Sequence, residues 1–183
     1  MTTATQLEKR KYPIGPFAPR QDITKSQLAE MIDTIASAPT AYEKIAQGLS
    51  ENDLKKTYRD GSWNVQQLFN HVADMQLLHF YRMKRALTET DYKDVALVDI
   101  NGWTATPDGL SSPIADSLEM FRGIVKRHVH LMRSLNDQQL DISQFHSVRG
   151  YSLDQKNAIA MSAWHVKHHL EHLKIALGLR AVD

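Results

Sequence analysis

Cysteine is absent from the 183-residue chain. Its absence excludes disulfide bonds, a protein thiolate nucleophile, and zinc or iron–sulfur sites built on cysteine ligands. Any metal ion that the protein binds must therefore be held by nitrogen and oxygen atoms, which directs attention to histidine and the carboxylates.

An excess of charge of one sign is also lacking. Lys and Arg number 22 against 21 Asp and Glu, which gives a formal net charge of +1. A nucleic-acid-binding protein would carry a basic run or stripe, so we predict no nucleic-acid partner. No stretch approaches the roughly 18 apolar residues of a membrane span, and the charged N-terminus has no apolar run behind it to form a secretory signal. A soluble cytoplasmic protein without a membrane partner is expected.

Length and composition favour one globular domain over residues 1–183, because 42% apolar and 23% charged residues are ordinary for a single well-buried core. Residues 1–11 are expected to form a flexible tail. Three prolines and a glycine within residues 12–20 exclude a helix there and predict an extended strap. The apolar side chains of this strap, Tyr12, Ile14 and Phe17, are expected to lie across the bundle surface.

Apolar residues at spacings of three and four predict four long helices. Their expected bounds are Lys25 to Gln47, Trp63 to about Thr88, Pro113 to about Leu135, and Ser152 to near Gly178. Roughly two dozen residues separate the second helix from the third, and a link of that length can cross the bundle. We therefore predict an all-α four-helix bundle with up-down-down-up topology and a long crossover between helices two and three.

The helix ends carry recognisable signals. Thr24 with Gln27 predicts a capping box for the first helix. Serines are the expected caps of the others, Ser62, Ser112 and Ser152. Pro39 is expected to kink or split the first helix.

Helix four carries four of the nine histidines within residues 165–172. His165 and His169 are one turn apart, a spacing that lets two imidazoles reach one ion. On a wheel of 100° per residue, His169 and His172 lie at about 40° and −20° from His165, beside the apolar residues at about 80° to 160°. Hydrogen-bonded core histidines would also fit this position, but several neutral imidazoles beside a core need partners for their nitrogens.

His71 is the predicted third ligand. It lies on one face of helix two, which it shares with Leu68, Met75, Leu78, His79 and Arg82, and its neighbours Leu68, Met75 and Leu78 indicate that this face points inward. The sequence thus predicts a metal site formed by His71, His165 and His169. A lone histidine on such a face is commonly a hydrogen-bonded core residue, and that alternative stays open.

Other residues compete for roles near this site. His79 and His128 are rival third ligands, although His79 lies two turns beyond His71, and an outer-shell or packing role would also explain His128. Asp74, one turn from His71, either receives an imidazole N–H or is an exposed helix charge. His130 and His146 are expected on the surface or in loops.

Three protein ligands would leave the ion coordinatively open, as a catalytic site requires. We expect one divalent ion per chain, Zn²⁺ first and Ni²⁺ as the alternative, because imidazole binds several first-row metals.

Four segments together resemble the DinB/YfiT-like family of metal-dependent hydrolases, over Tyr12 to about Leu177. They are YPIGPF at 12–17, GSWNVQQLFNHVAD at 61–74, YRMKRALTE at 81–89 and WHVKHHLEH at 164–172. In that family the histidine of the His-x-Ala-Asp run and the first and third histidines of the His-x-x-His-His run bind the metal. The resemblance carries these roles to His71, His165 and His169.

The resemblance further implies an up-down-down-up bundle, a cytoplasmic homodimer, and relatives that act as S-transferases for thiols such as bacillithiol or mycothiol. An acidic residue and a tryptophan of the family's pocket are matched only loosely by Asp99, Asn101 and Trp103. Three hypotheses follow. They are transfer of a small-molecule thiol to an electrophile, hydrolysis by metal-activated water, and a non-catalytic bundle that binds metal adventitiously or for stability.

Overall fold

The computed structural model describes residues 4–181. Its elements in chain order are α1 (Ala4–Lys11), α2 (Lys25–Ala46), α3 (Glu51–Leu54), α4 (Val65–Thr88), α5 (Ile100–Thr104), α6 (Pro107–Ser111), α7 (Ile114–Ser134), α8 (Asp137–Leu140), β1 (Ser143–His146), β2 (Tyr151–Asp154) and α9 (Gln155–Ala176). The four long helices, α2, α4, α7 and α9, form the bundle, and each packs against two others, since α4 and α2 both contact α7 and α9. Within these residues no helix is both long and apolar enough to cross a membrane.

Pairs of contacting side chains fix the direction of each helix. Gln66 reaches the Ser112 carbonyl and Asn70 receives a hydrogen bond from Ser117, so α4 and α7 run parallel. His71 faces His165. Gln76, farther along α4, accepts a hydrogen bond from Ser162, which precedes His165 on α9, so α4 and α9 are antiparallel.

Ion pairs supply the remaining direction, because Asp33 contacts Arg133 and Glu43 contacts Arg122, which makes α2 antiparallel to α7. The order is up-down-down-up, as the sequence predicts. The crossover between α4 and α7 contains α5 and α6, which both pack on α4. Gly109 lies so close to the Trp103 and Thr104 carbonyls that a Cβ there would approach them to 2.8 and 3.0 Å, so this packing requires glycine.

Several predicted helix ends need correction. The capping box of Thr24 and Gln27 is confirmed, but Asn64 rather than Ser62 caps α4, with its side chain accepting the Gln67 N–H at 2.9 Å. Pro113, not Ser112, occupies the cap position of α7, because Ser112 closes the preceding α6 by donating its N–H to the Asp108 carbonyl.

The start of the last helix differs most. Residues 151–154 pair with 143–146 in a two-stranded antiparallel hairpin, so Ser152 lies in a strand and cannot cap a helix. Asp154 caps α9 instead, accepting the Asn157 N–H at 2.7 Å. The hairpin replaces the short loop that the sequence indicated.

Pro39 does not split α2, which runs unbroken through it. Proline removes one backbone hydrogen bond, but Ile35, Ala38 and Tyr42 around it are all buried. Their packing against the bundle stabilises the helix more than the lost bond destabilises it.

The N-terminal segment is the other correction, since residues 4–11 of the predicted flexible tail form helix α1, and residues 1–3 lie outside the described part of the chain. Arg10 of α1 donates a hydrogen bond to the Tyr58 carbonyl, just before α4, at 2.9 Å. The strap that follows runs along α9: Trp164 donates to the Gly15 carbonyl at 3.0 Å, and Asn157 exchanges two hydrogen bonds with the backbone of Arg20. Tyr12 and Phe17 of the strap are half-buried, whereas Ile14 is exposed.

Replacing Tyr42 by Phe should lower the free energy of unfolding by about 1 kcal/mol, the usual contribution of one buried hydrogen bond. The Tyr42 hydroxyl is buried and donates to the Val166 carbonyl at 2.8 Å, joining α2 to α9, while its ring packs on Phe69 and Phe121. Urea unfolding at neutral pH measures the change. Tyr81→Phe, at an exposed position of α4, is the matched control and should leave stability unchanged; equal stability of both variants would contradict the assigned bond.

Candidate metal centre and its cavity

Helices α4 and α9 bring His71, His165 and His169 to one point inside the bundle. The Nε2 atoms of His71 and His165 lie 3.1 Å apart, and one nitrogen from each of the three rings lies within 4.8 Å of the others. All three side chains are buried. The sequence-predicted histidines therefore form one group that can hold a metal ion.

Burial controls the charge of this group. It lowers the pKa of His71 and of His169 well below the ordinary value, with repulsion from neighbouring imidazoles, His165 first, as a further cause. For His165, burial and then Arg149 lower the pKa to about 3. The rings are thus neutral at pH 7, the form in which imidazole offers a lone pair to a metal.

A hydrogen-bonded chain orients His169. The Nε2 of His172 lies 3.3 Å from the Lys11 carbonyl, which can only accept, so this nitrogen carries the proton. The Nδ1 of neutral His172 is then an acceptor for the Nδ1–H of His169, also at 3.3 Å. His169 is left with its lone pair on Nε2. An imidazole whose other N–H is bonded outward is the usual arrangement around a ligating histidine.

The donor set fits a divalent ion. Three neutral imidazoles converge, and His169 is oriented by its neighbour His172. A second group, His168, His169 and His172, also places one nitrogen from each ring within 4.8 Å. This second group fits less well, because both nitrogens of His172 already have partners, the Lys11 carbonyl and the Nδ1 of His169.

The rival residues take other places. His79 lies against His165, with ring centroids 5.4 Å apart, but joins neither convergent group. His128 is a core residue, because its Nδ1 meets the amide of Gln76 at 2.9 Å and Gln76 in turn accepts from Ser162. The packing interpretation of His128 therefore applies.

Asp74 is half-buried, and burial followed by repulsion from Asp108 raises its pKa to about 6. It forms no hydrogen bond with His71 within the described residues, so its outer-shell role finds no support. Of the loosely matched crossover residues, Asp99 caps α5 and Asn101 lines the cavity described next. Trp103 does not line that cavity.

The three histidines open into a cavity of about 570 Å³. Its floor near the histidines is aromatic: Trp63 lies 4.4 Å from the His71 ring, and Tyr58 is stacked on His172 at 3.8 Å. Apolar residues of α4, the crossover and the hairpin form much of the remaining wall, and four cationic side chains also line it, Lys11, Arg59, Arg82 and Arg149. Among the described residues that line the cavity there is no Asp or Glu.

Sequence reasoning missed most of this wall. Periodicity placed Arg82 on the helical face of His71 but did not indicate that its guanidinium lines the cavity. His146, expected only on the surface or in a loop, also lines the cavity. Nothing in the pattern of residues 143–154 indicated the hairpin that brings Gln144, His146 and Arg149 to the cavity.

Comparison with known proteins agrees with the fold and the family. The family model of the DinB superfamily matches residues 34–173. A protein of Oceanobacillus iheyensis, named a putative metal-dependent hydrolase, is 35% identical over 92% of this chain and 95% of its own. Bacillus subtilis YfiT, named likewise, is 29% identical over 88% and 90%.

Two solved structures are similar. The structure of Bacillus subtilis YfiT, described as a probable metal-dependent hydrolase with an unusual four-helix bundle topology, superposes with a TM-score of 0.87 at 28% identity, covering 93% of this chain and 98% of that one. A mycothiol-dependent maleylpyruvate isomerase superposes with a TM-score of 0.52 at 15% identity, over 80% of this chain and 60% of that one, a likeness of fold alone.

The metal-free protein should lose stability as the pH falls below about 6.5. The pKa of His128 is about 3 in the folded protein, because burial disfavours its charged form, against 6.5 in the unfolded chain. Between these values only the unfolded chain binds the proton, so this contribution is complete above pH 6.5 and is lost as the pH falls towards 3, by up to about 1.4 kcal/mol per pH unit. Urea unfolding in EDTA at pH values from 8 to 4.5 measures it. His128→Gln should reduce the slope, and a flat profile between pH 7 and 5 would refute the assignment.

Proposed function

The chain belongs to the DinB superfamily, and we propose that it is a divalent-metal-dependent enzyme that joins a small-molecule thiol to an electrophile, with its ion held by His71, His165 and His169. The observation that carries the proposal is a large cavity that opens onto three neutral histidines and that, among its described lining residues, has no carboxylate. Zn²⁺ is the proposed ion and Ni²⁺ the alternative, because an all-imidazole donor set suits both.

Bound at such a site, a divalent cation stabilises the thiolate form of a thiol, or the hydroxide form of water, at neutral pH. The protein supplies the rest. The three imidazoles stay neutral because burial lowers their pKa values. His172 fixes the tautomer of His169 through the chain that ends at the Lys11 carbonyl.

Two features of the cavity favour a thiol over water. Water activation at open zinc sites commonly uses a nearby carboxylate as general base, and the described lining residues offer none. A thiol has an ordinary pKa near 8.5 and needs less assistance to lose its proton. The volume of about 570 Å³ lies within the range of pockets that hold ligands far larger than water.

In the proposed reaction the thiol releases its proton to solvent and its sulfur forms a bond to the electrophilic carbon. The leaving group departs with the electron pair of the bond that breaks. The aromatic floor of Tyr58 and Trp63 and the apolar wall hold the two substrates together and exclude bulk water, which holds the reacting atoms in position.

Hydrolysis is the second candidate, and the names of the relatives favour it. It uses the same three histidines and differs in the nucleophile. Assembly as a homodimer and a cytoplasmic location remain predictions that rest on the family resemblance.

Substitution of the proposed ligands should remove the ion in a graded way. His71→Ala should abolish stoichiometric zinc binding, because only two of the three proposed ligands, His165 and His169, remain and both are on α9. His172→Ala should weaken zinc affinity by about 10- to 100-fold, the usual effect of losing the partner of a ligating histidine. His79→Ala is the matched control, a buried α4 histidine beside His165 that joins no convergent group, and it should retain zinc. Competition titration of tag-free protein with a chromogenic chelator measures all three. Full zinc content in His71→Ala would refute the ligand assignment.

The co-substrate distinguishes the two reactions. Zinc-loaded protein should consume a model electrophile such as 1-chloro-2,4-dinitrobenzene only when a low-molecular-weight thiol is added. The His165→Ala variant should not consume the electrophile even with thiol present. Absorbance follows the thioether product. Cleavage of p-nitrophenyl esters without thiol would favour hydrolysis instead. Zinc binding with neither activity across a panel of thiols, electrophiles and esters would support a structural ion.

A further inference from the structure

Arg82 places an uncompensated charge in the cavity wall. Its guanidinium donates from Nε and Nη2 to a single acceptor, the Ala96 carbonyl, at 3.0 and 2.6 Å. It forms no ion pair with any carboxylate in residues 4–181. Arg82 is half-buried, and burial lowers the pKa of its guanidinium. A charge that is partly removed from water is ordinarily paired.

The hairpin brings further donors to the same place. Arg149, in the turn between β1 and β2, lines the same cavity as Arg82 and His146. Burial first, and then repulsion from Arg82 and Arg149, lowers the pKa of His146. Gln144 of β1 is buried, and its Nε2, a donor only, has no hydrogen-bond partner. We call Arg82, Gln144, His146 and Arg149 the arginine cluster. All four line the cavity.

The acidic side chains of the described residues lie outside the cavity wall that carries Arg82 and Arg149. The chain has 21 Asp and Glu, yet none of the described residues lining the cavity is acidic. Arg85, one turn beyond Arg82 on α4, has the ordinary arrangement, because it pairs with Glu89. Two guanidinium groups that line one cavity, with no carboxylate among its described lining residues, therefore give the cavity positive potential and N–H groups that can bind oxygen.

We propose that the arginine cluster binds the anionic group, a carboxylate or a phosphate, of an organic substrate whose reacting atom lies at the three histidines. This inference deepens the proposed function, since it takes that cavity as the substrate site. His165 lies between the two ends, because its ring is near His71 on one side and near His79, one turn before Arg82, on the other, with centroids 5.1 and 5.4 Å apart. The apolar residues of the cavity wall, which include Met75, Met83 and Leu153, fit an apolar middle of the substrate.

Binding of matched probes to the zinc-loaded protein tests the proposal without turnover. 4-Phenylbutyrate, 3-phenylpropyl phosphate and 4-phenylbutanol share an apolar body and differ in the charged end. Trp63 and Trp164 line the cavity, so quenching of tryptophan fluorescence reports occupancy. At least one acid should bind about tenfold or more tightly than the alcohol, and the ratio between the two acids identifies the preferred anion.

Substitutions in the arginine cluster test whether the charged end of the acid binds there or at the zinc ion. Arg82→Gln should weaken binding of the preferred acid by about 10- to 100-fold, as expected for a lost charged hydrogen bond, and Arg82→Lys by less. Arg149→Gln, at an exposed turn position where folding is not at stake, should weaken it in the same direction. Arg85→Gln removes the same charge one turn away and should leave binding unchanged. The alcohol should bind all variants alike.

The proposal is overturned if the alcohol binds as tightly as the acids, or if Arg82→Gln and Arg149→Gln, with zinc content and helical circular dichroism intact, both bind the acid as the unaltered protein does. These outcomes are independent of the thiol assay. Acid binding at the arginine cluster without thiol-dependent turnover would contradict the proposed reaction and support the anion site.

Discussion

The structure depends on the burial of three uncharged imidazoles between α4 and α9. A charged histidine at this depth would be strongly destabilising, and a neutral one still requires partners for both of its nitrogens. His172 and the Lys11 carbonyl provide such partners for His169. The Nε2 atoms of His71 and His165 lie 3.1 Å apart, so that one ion could bind both of them. A metal ion at this point would give one nitrogen of each ring a partner, so the burial of the neutral imidazoles and the proposed metal binding belong to one arrangement.

The N-terminal segment belongs to the same arrangement. Helix α1 and the strap cover α9 on the side of the histidines, with Lys11 bonded to His172 and Gly15 bonded to Trp164. These contacts are made by backbone carbonyls, so they fix the geometry whatever side chains the strap carries. The crossover and the hairpin form another part of the wall, and the hairpin brings Arg149 into the cavity beside Arg82 of α4. The positive charge of the site therefore comes from a long helix and from a segment outside the bundle together.

Most of the bundle could be predicted from the sequence because helix periodicity is a local signal. The spacing of His165 and His169 and the inward face of His71 identified the convergent group, and the length of the crossover indicated the topology. The hairpin escaped prediction because its pairing is made between residues 143–146 and 151–154 and four-residue strands carry little periodicity. It also shifted the cap of α9 from Ser152 to Asp154.

Other features depended on tertiary contacts that no local pattern encodes. Residues 4–11 have no buried side chain, and the contacts that hold them include the hydrogen bond of Arg10 to Tyr58 and that of the Lys11 carbonyl with His172. Arg82 illustrates the same limit at the site. Its face on α4 was evident from spacing, whereas its lack of a carboxylate partner became visible only once the hairpin and crossover were in place.

X-ray absorption spectroscopy at the zinc edge, on tag-free protein loaded with one ion per chain, tests the central claim most directly. The account predicts a first shell of nitrogen and oxygen atoms at about 2.0–2.1 Å, with outer-shell scattering that corresponds to three imidazoles. A shell with one imidazole or none, or a protein that does not take up one ion per chain, would contradict it.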